Sequence, residues 1–383
     1  MFRYLFGCVL ALFSALNGVT LKLQDHTNIP EPIYVAVIGY SLTDRVNFYY
    51  IDPSCGLTAC QVGNSLADFF FPATDFAEIN LPHMVSARVL VSIKEPLQSA
   101  PLTTTSFMPY PDITNPSDAN YYTINDKVEF TYDNNMLFIN TTLVDYFSIP
   151  FAISLVGHQQ GTQSLGKLSS SREELFSAFK ALGEPFCEQL VEGGSLPETQ
   201  NIRMLSPQFA SNFPTNYFDA YINACWTTYT SRTLTIQFPP SADGSITASG
   251  SIVNDIFTLT DKLHDQTETY TIAKPTTKEL VSCNGPFNGA STGTPLYQQR
   301  DGIVKRTIAA AMNRGVFENA QSTFCDSPSF YIQTPYNGYA KAIHEHSVDG
   351  KNYAFPYDDV CDYSSGMGDT EPEAFIIELQ NWN

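Results

Sequence analysis

Two carboxylates frame the segment with the clearest chemical pattern in the chain, Asp126-Lys-Val-Glu-Phe-Thr-Tyr-Asp-Asn-Asn-Met-Leu-Phe-Ile-Asn-Thr-Thr-Leu-Val-Asp145. Asparagine tolerates the positive φ of a two-residue type I′ turn. Asn134 and Asn135 therefore mark the tip of a hairpin in which Asp133 pairs with Met136 and Phe130 with Ile139. In that register Val128, Phe130, Leu137 and Ile139 share a core-facing side, while Glu129, Thr131, Asp133, Phe138, Asn140 and Thr142 share the other. A carboxylate among hydroxyls and an aromatic ring suits sugar, because the ring stacks on the apolar face of a pyranose and the polar groups bind its OH groups. Asp145 follows one strand later and is placed to stand across a groove from Glu129. Cleaving a glycosidic bond needs two such carboxyls, one protonated to serve the leaving oxygen and one ionised to activate water or attack carbon. The same spacing also describes a solvated strand face followed by a turn aspartate, so spacing alone does not establish an enzyme.

The elements that must hold these residues read as mainly β with an α/β part. The chain has 383 residues, 13% of them aromatic and only 15% charged, with 24 Pro and 22 Gly. This composition can bury a large core and favours short strands joined by turns. Strand patterns recur over 33–51 (interrupted at 39–45), 87–93, 128–132, 137–141 and 151–155, as in a sandwich or barrel. The middle changes character: Ser171 with Glu174 forms a capping box ahead of Leu175, Phe176, Phe179 and Leu182, and Gly183 can end that helix. A second helix is expected from Asp301 as N-cap to Gly315, and strands at 233–238 and 252–259. The end returns to strand at 375–379. The expected organisation is a β domain built from 19–165 and 330–383, with a mixed α/β domain, 166–329, inserted between them.

The net charge of −19 opposes binding to nucleic acid or to an anionic membrane face and is compatible with a neutral polysaccharide. Arg3 precedes a short apolar run from Leu5 to Leu16, the layout of a cleaved secretory signal over residues 1–18. The protein is thus expected to be extracellular and a monomer. Removal of Cys8 with the signal leaves seven cysteines in an oxidising compartment, an odd number, so at least one stays free. Cys55 and Cys60 can close a small loop, and the remaining connectivity is open.

The hairpin is also where the chain becomes recognisable. Val128-Glu-Phe-Thr-Tyr132 and Phe138-Ile-Asn-Thr-Thr-Leu-Val-Asp-Tyr-Phe-Ser-Ile-Pro150 resemble glycoside hydrolase family 64, the β-1,3-glucanases that release laminari-oligosaccharides, and more distantly the thaumatin-like proteins. Further resemblance lies in Tyr217-Phe-Asp-Ala-Tyr221, Trp226, Ala309-Ala-Ala-Met-Asn-Arg-Gly315 and the run Tyr339 to Val360, in the expected order over nearly the whole mature chain. The resemblance implies a thaumatin-like sandwich or barrel domain and a mixed domain flanking a wide, open groove for a long β-1,3-glucan, cleaved with inversion and without metal or organic cofactor. It places Glu129 as general acid and Asp145 as general base, with Thr131, Asp133, Phe138 and Thr142 lining sugar subsites and Asp358 in an acidic cleft. Asp133 and Phe138 stand where the family is expected to carry Asn and Trp, which would weaken stacking. Thaumatin-like proteins are richer in cysteine, so family 64 is the better comparison. The alternative is a non-catalytic glucan-binding or antifungal protein that uses the same acidic groove.

Several shorter patterns compete for attention. His344 and His346 would share one face of a strand as a metal pair, but lack a clear third ligand. Arg314 after Asn313 fits a cation at a helix end better than a sugar contact. The Gly161–Lys167 stretch fits a phosphate loop except at Leu168, and Gly289-Ala-Ser-Thr-Gly293 has nucleophile-elbow letters without a preceding strand; both read as plain backbone. Asn140-Thr-Thr142 is a glycosylation sequon on the face expected to meet substrate, and is expected to stay unmodified.

Overall fold

The computed structural model describes residues 18–54, 56–76, 78–197, 199–238, 247–263, 266–319 and 324–382. The expected signal segment thus lies outside the described residues except for Gly18, and so does Cys55 of the expected small loop. Strands dominate and form sheets of eight, five, four and three strands, with helices packed at their margins. Among the described residues no helix is long and apolar enough to cross a membrane.

The two largest sheets share one core. In the eight-stranded sheet the strands Ile33–Ser41, Met84–Ile93, Asn125–Tyr132 and Leu137–Asn140 are successive antiparallel neighbours. In the five-stranded sheet Thr20–Asp25 runs parallel to Pro372–Leu379, so the first and last strands of the described chain are neighbours. Val37, Val89, Val128, Phe130, Leu137 and Ile139 point inward from the first sheet and meet Leu21, Ile153, Phe375 and Ile377 from the second. Phe130 packs edge-on against Phe375, with ring centroids 5.9 Å apart.

The opposite face of the eight-stranded sheet is only partly roofed. Ala36, Ile38 and Leu90 alternate away from the main core and enter a second, smaller one with Cys60, Leu66, Phe69, Phe70, Leu97, Leu102 and Met108. The chain between residues 60 and 108 therefore covers one part of this face. Arg88, Glu129, Thr131 and Phe138 lie beyond the cover, where side chains on the same face reach solvent.

Local sequence explains most boundaries. The Ser171 capping box is formed, with the Ser171 side chain accepting from Glu174 N, and the helix spans Arg172–Ala181. The next long helix does not begin at Asp301. It spans Pro295–Asn313, capped by Thr294 and opened by a proline at its first position; Asp301 is buried inside it, ion-paired with Lys305 at 2.9 Å. The single strand expected over 252–259 is a hairpin, Thr247–Val253 with Ile256–Leu263, turned by Asn254 and Asp255 at φ 52° and 63°. Helices Asp219–Ser231, Thr277–Ser282 and Gly338–Glu345 were not expected.

Candidate active site

The hairpin register holds: Phe130 pairs with Ile139, Thr131 with Phe138, and Asp133 N donates to Met136 O at 3.1 Å. The turn is not the type I′ expected, since neither Asn134 nor Asn135 takes a positive φ; the tip is fixed by Asp133 instead, whose carboxylate accepts from the backbone N–H groups of Asn135 and Met136 at 2.8 and 3.1 Å. Those two hydrogen bonds hold the Asp133 carboxyl below its usual range. Each pairing step sets one neighbour for Glu129: Arg88 lies opposite on one adjoining strand and Asn140 opposite on the other.

A cavity of about 340 Å³ opens above this row, lined by Ser86, Arg88, Glu129, Thr131, Phe138 and Asn140, with Ala87 and Phe130 at its floor. Arg88 Nε donates to Glu129 Oε1 at 3.1 Å, and the Glu129 side chain is 32% exposed. Phe138 is 41% exposed, a ring face open to solvent at the edge of the cavity. Thr131 Oγ1 accepts from Ser86 N at 3.2 Å. Arg88 in turn lies over the Tyr110 ring, 5.3 Å from its centroid. Burial works against the Arg88 charge, but Glu129, Tyr110 and Asp145 together hold its guanidinium above the ordinary range, so both carboxylates act on one cation.

Asp145 is not part of the cavity wall and stands beside it. Lys127, two residues before Glu129 on the same strand face, forms an ion pair with Asp145 Oδ2 at 2.9 Å. The Lys127 ammonium also lies 4.6 Å from the centroid of Tyr146. Burial works against that ammonium, and the carboxylates of Asp145 and Asp126, Asp145 foremost, overcome it, leaving it above its usual range. The backbone around Asp145 is tied on every side: Leu143 N donates to Tyr353 O at 2.8 Å, Tyr339 Oη to Leu143 O at 2.7 Å, and Ser206 N to Asp145 O at 3.0 Å. On the other face of the strand Asp126 accepts from Ser148 N and Ile149 N at 2.8 and 3.1 Å, fixing the segment that follows Asp145.

The site residues expected from sequence therefore separate. Glu129, Thr131 and Phe138 share the cavity, Asp145 stands next to it, and Asp133 shapes the hairpin tip. Thr142 is only 4% exposed and bridges to Tyr353, so it offers almost no surface to a ligand. Asp358 does not reach a groove. It is 0% exposed and accepts from Arg314 Nη2 at 3.1 Å, Ala354 N at 2.9 Å and the His344 ring at 2.8 Å. The reason is charge: Arg314, itself buried against Phe330, Phe355 and Tyr363, needs an anion in the core. His344 sits in a helix, not a strand, and is occupied by Asp358 and Gly350 O, while His346 pairs with Ser170 Oγ. Gly161–Leu165 is an ordinary strand paired with Phe151–Gly157. The cations Arg88 and Lys127 were missed, although alternation puts Lys127 on the face of Glu129; Arg88 comes from the neighbouring strand, 41 residues away.

The model of glycoside hydrolase family 64, described as β-1,3-glucanase, matches residues 17–379. The chain belongs to this family. Proteins similar to it include a glucan endo-1,3-β-glucosidase of Arthrobacter sp. (strain YCWD3), 26% identical over 70% of this chain, and one of Cellulosimicrobium cellulans with the same identity and coverage. The chain matches 47% of the length of each of these curated relatives. A β-1,3-glucanase domain of family 64 from Clostridium beijerinckii superposes with a TM-score of 0.80 at 26% identity, over 96% of this chain and 98% of that one. A laminaripentaose-producing β-1,3-glucanase in complex with laminaritetraose superposes with a TM-score of 0.83 at 24% identity, over 96% and 99% of the two chains, a likeness of fold.

Proposed function

We propose that this family 64 chain is a secreted hydrolase that cleaves β-1,3-glucan with inversion to short laminari-oligosaccharides. The observation that carries the reading is Glu129 in an open cavity beside the exposed ring of Phe138, with Asp145 held next to it on the same face. Glu129 donates its proton to the leaving glycosidic oxygen. Asp145 takes a proton from the water that attacks the anomeric carbon, and its ion pair with Lys127 keeps it oriented until then. Arg88 is in place to pair with Glu129 once the proton has gone, when the carboxylate has gained its charge. Lys127 and Glu129 are same-face neighbours, ~6.7 Å apart along a strand. Inversion needs the two carboxyls about 6.5–9.5 Å apart, which leaves room for water.

The groove, on this reading, runs between a thaumatin-like β part made from both chain ends and the mixed part inserted between them. The names of the relatives support β-1,3-glucan as the substrate, and the protein works as a monomer without cofactor. One observation favours a second reading: with Arg88 on Glu129 and Lys127 on Asp145, both carboxylates are already paired, as suits a protein that only binds glucan.

Release of reducing sugar from linear β-1,3-glucan decides between the two. Turnover is expected to fall on the order of 10²–10⁴-fold in Glu129→Gln and in Asp145→Asn, with glucan binding kept. Binding without release by the unaltered protein would leave the non-catalytic reading standing.

A further inference from the structure

Asn140 carries an unanswered polar group in the cavity. The residue is 9% exposed, and its Oδ1 is buried without a hydrogen-bond partner among the described residues. A buried amide oxygen with nothing donating to it costs stability, so its retention calls for a partner that is present in another state of the site. Residues directly opposite on antiparallel strands have Cβ atoms about 4.5–5.5 Å apart, and the residue opposite Asn140 is Glu129. As a carboxylate Glu129 can only accept, which is how it meets Arg88. A neutral Glu129 has one O–H to give, and an acceptor too deeply buried for bulk water lies across from it.

We infer that Asn140 is a positioning residue for the reaction, accepting the O–H of neutral Glu129 and so holding the proton ready for the glycosidic oxygen. The inference rests on the proposed role of Glu129 as acid. Glu129 then has two partners for its two charge states: Arg88 when ionised and Asn140 when protonated. The remaining charged or titratable groups around it are Lys127 on its own strand with Asp145 beyond, Tyr110 through Arg88, and Tyr353, which lies within reach of the Glu129 charge along with Asp359 and Arg306. None of these is a neutral acceptor dedicated to Glu129, which leaves that part to Asn140. A glycan on the Asn140 nitrogen would have to occupy the same space, so the sequon is expected to be unmodified.

The test titrates Glu129 by carboxyl carbon NMR in protein without substrate, using Asn140→Leu, which keeps the volume and removes the acceptor, and Asn140→Ala as a second variant in case the first does not fold. Loss of one hydrogen bond to the neutral form should move the Glu129 titration toward acid by about one pH unit. The alkaline limb of the pH profile of kcat should move with it, with KM little changed. An unmoved titration in the folded variants overturns the inference. So does a shift toward alkali, which would mean that the amide donates to the carboxylate. Because the titration needs no turnover, it stands or falls separately from hydrolysis: absence of sugar release in the unaltered protein would count against the acid role while leaving the Glu129–Asn140 contact measurable.

Discussion

Asp358 illustrates what decides the role of a single acidic residue. An exposed carboxylate is free to meet a ligand, whereas one that neutralises Arg314 and hydrogen-bonds to His344 inside the core is occupied by the fold. Its partners come from 44 and 14 residues away, so nothing in the local run around Tyr357 announces them. The hairpin carboxylate is the opposite case. Strict alternation about a two-residue tip specifies which residues face together, so the surroundings of Glu129 were legible although Asn134 and Asn135 do not take the positive φ expected of them. Only the long-range partners, Arg88 and the Lys127–Asp145 pair, were hidden. Removing Asp358 by Asp358→Ala leaves the buried Arg314 without its anion and should cost about 3–5 kcal/mol of stability in a denaturant titration. A variant of unchanged stability with weakened glucan binding would return Asp358 to the groove.

At the scale of elements, propensity and capping act over four or five residues, and the expectations succeeded where those signals were unopposed. Ser171 and Glu174 form the reciprocal box that their spacing suggests. The helix at Pro295–Asn313 was placed too late because Asp301 looks like a cap, while Thr294 followed by proline is the stronger start and is preceded by loop. The hairpin at Asn254-Asp255 was read as one strand because its turn residues interrupt a run of β-branched and aromatic residues for only two positions. A short amphipathic segment such as Gly338–Glu345 carries both helical and strand patterns, and packing of Tyr339 on Phe179, with centroids 5.6 Å apart, fixes it as helix. The Ser171 cap is testable by itself: Ser171→Ala removes an acceptor for Glu174 N and should lower stability by about 1 kcal/mol. The readout is the denaturation midpoint, and an unchanged midpoint would mean that tertiary packing alone holds that helix end.

Across the whole molecule the pairing of the first strand with the last, and the partial roof over the active face, were accessible only in outline, because both depend on contacts between distant parts of the chain. One group links this assembly to pH. Asp126, on the strand that bears Glu129, is buried and reaches the backbone of Ser148 and Ile149, so it joins the eight-stranded sheet to the segment entering the five-stranded one. Burial pushes its carboxyl up to about 6, against the pull of Lys127 and three backbone N–H donors. Folding therefore holds this proton more tightly than the unfolded chain, whose carboxyl titrates near 4. The contribution of that proton to stability is fully present below about pH 4 and is lost as pH rises through about 6. Two pH units correspond to about 3 kcal/mol. Asp126→Asn cannot titrate, so the stability of the unaltered protein relative to this variant should fall by about that amount between pH 4 and pH 7 in parallel denaturant titrations. A constant difference across that window would mean that the three N–H donors have already compensated for burial and that Asp126 is ionised throughout, tying the two sheets together as a permanent anion.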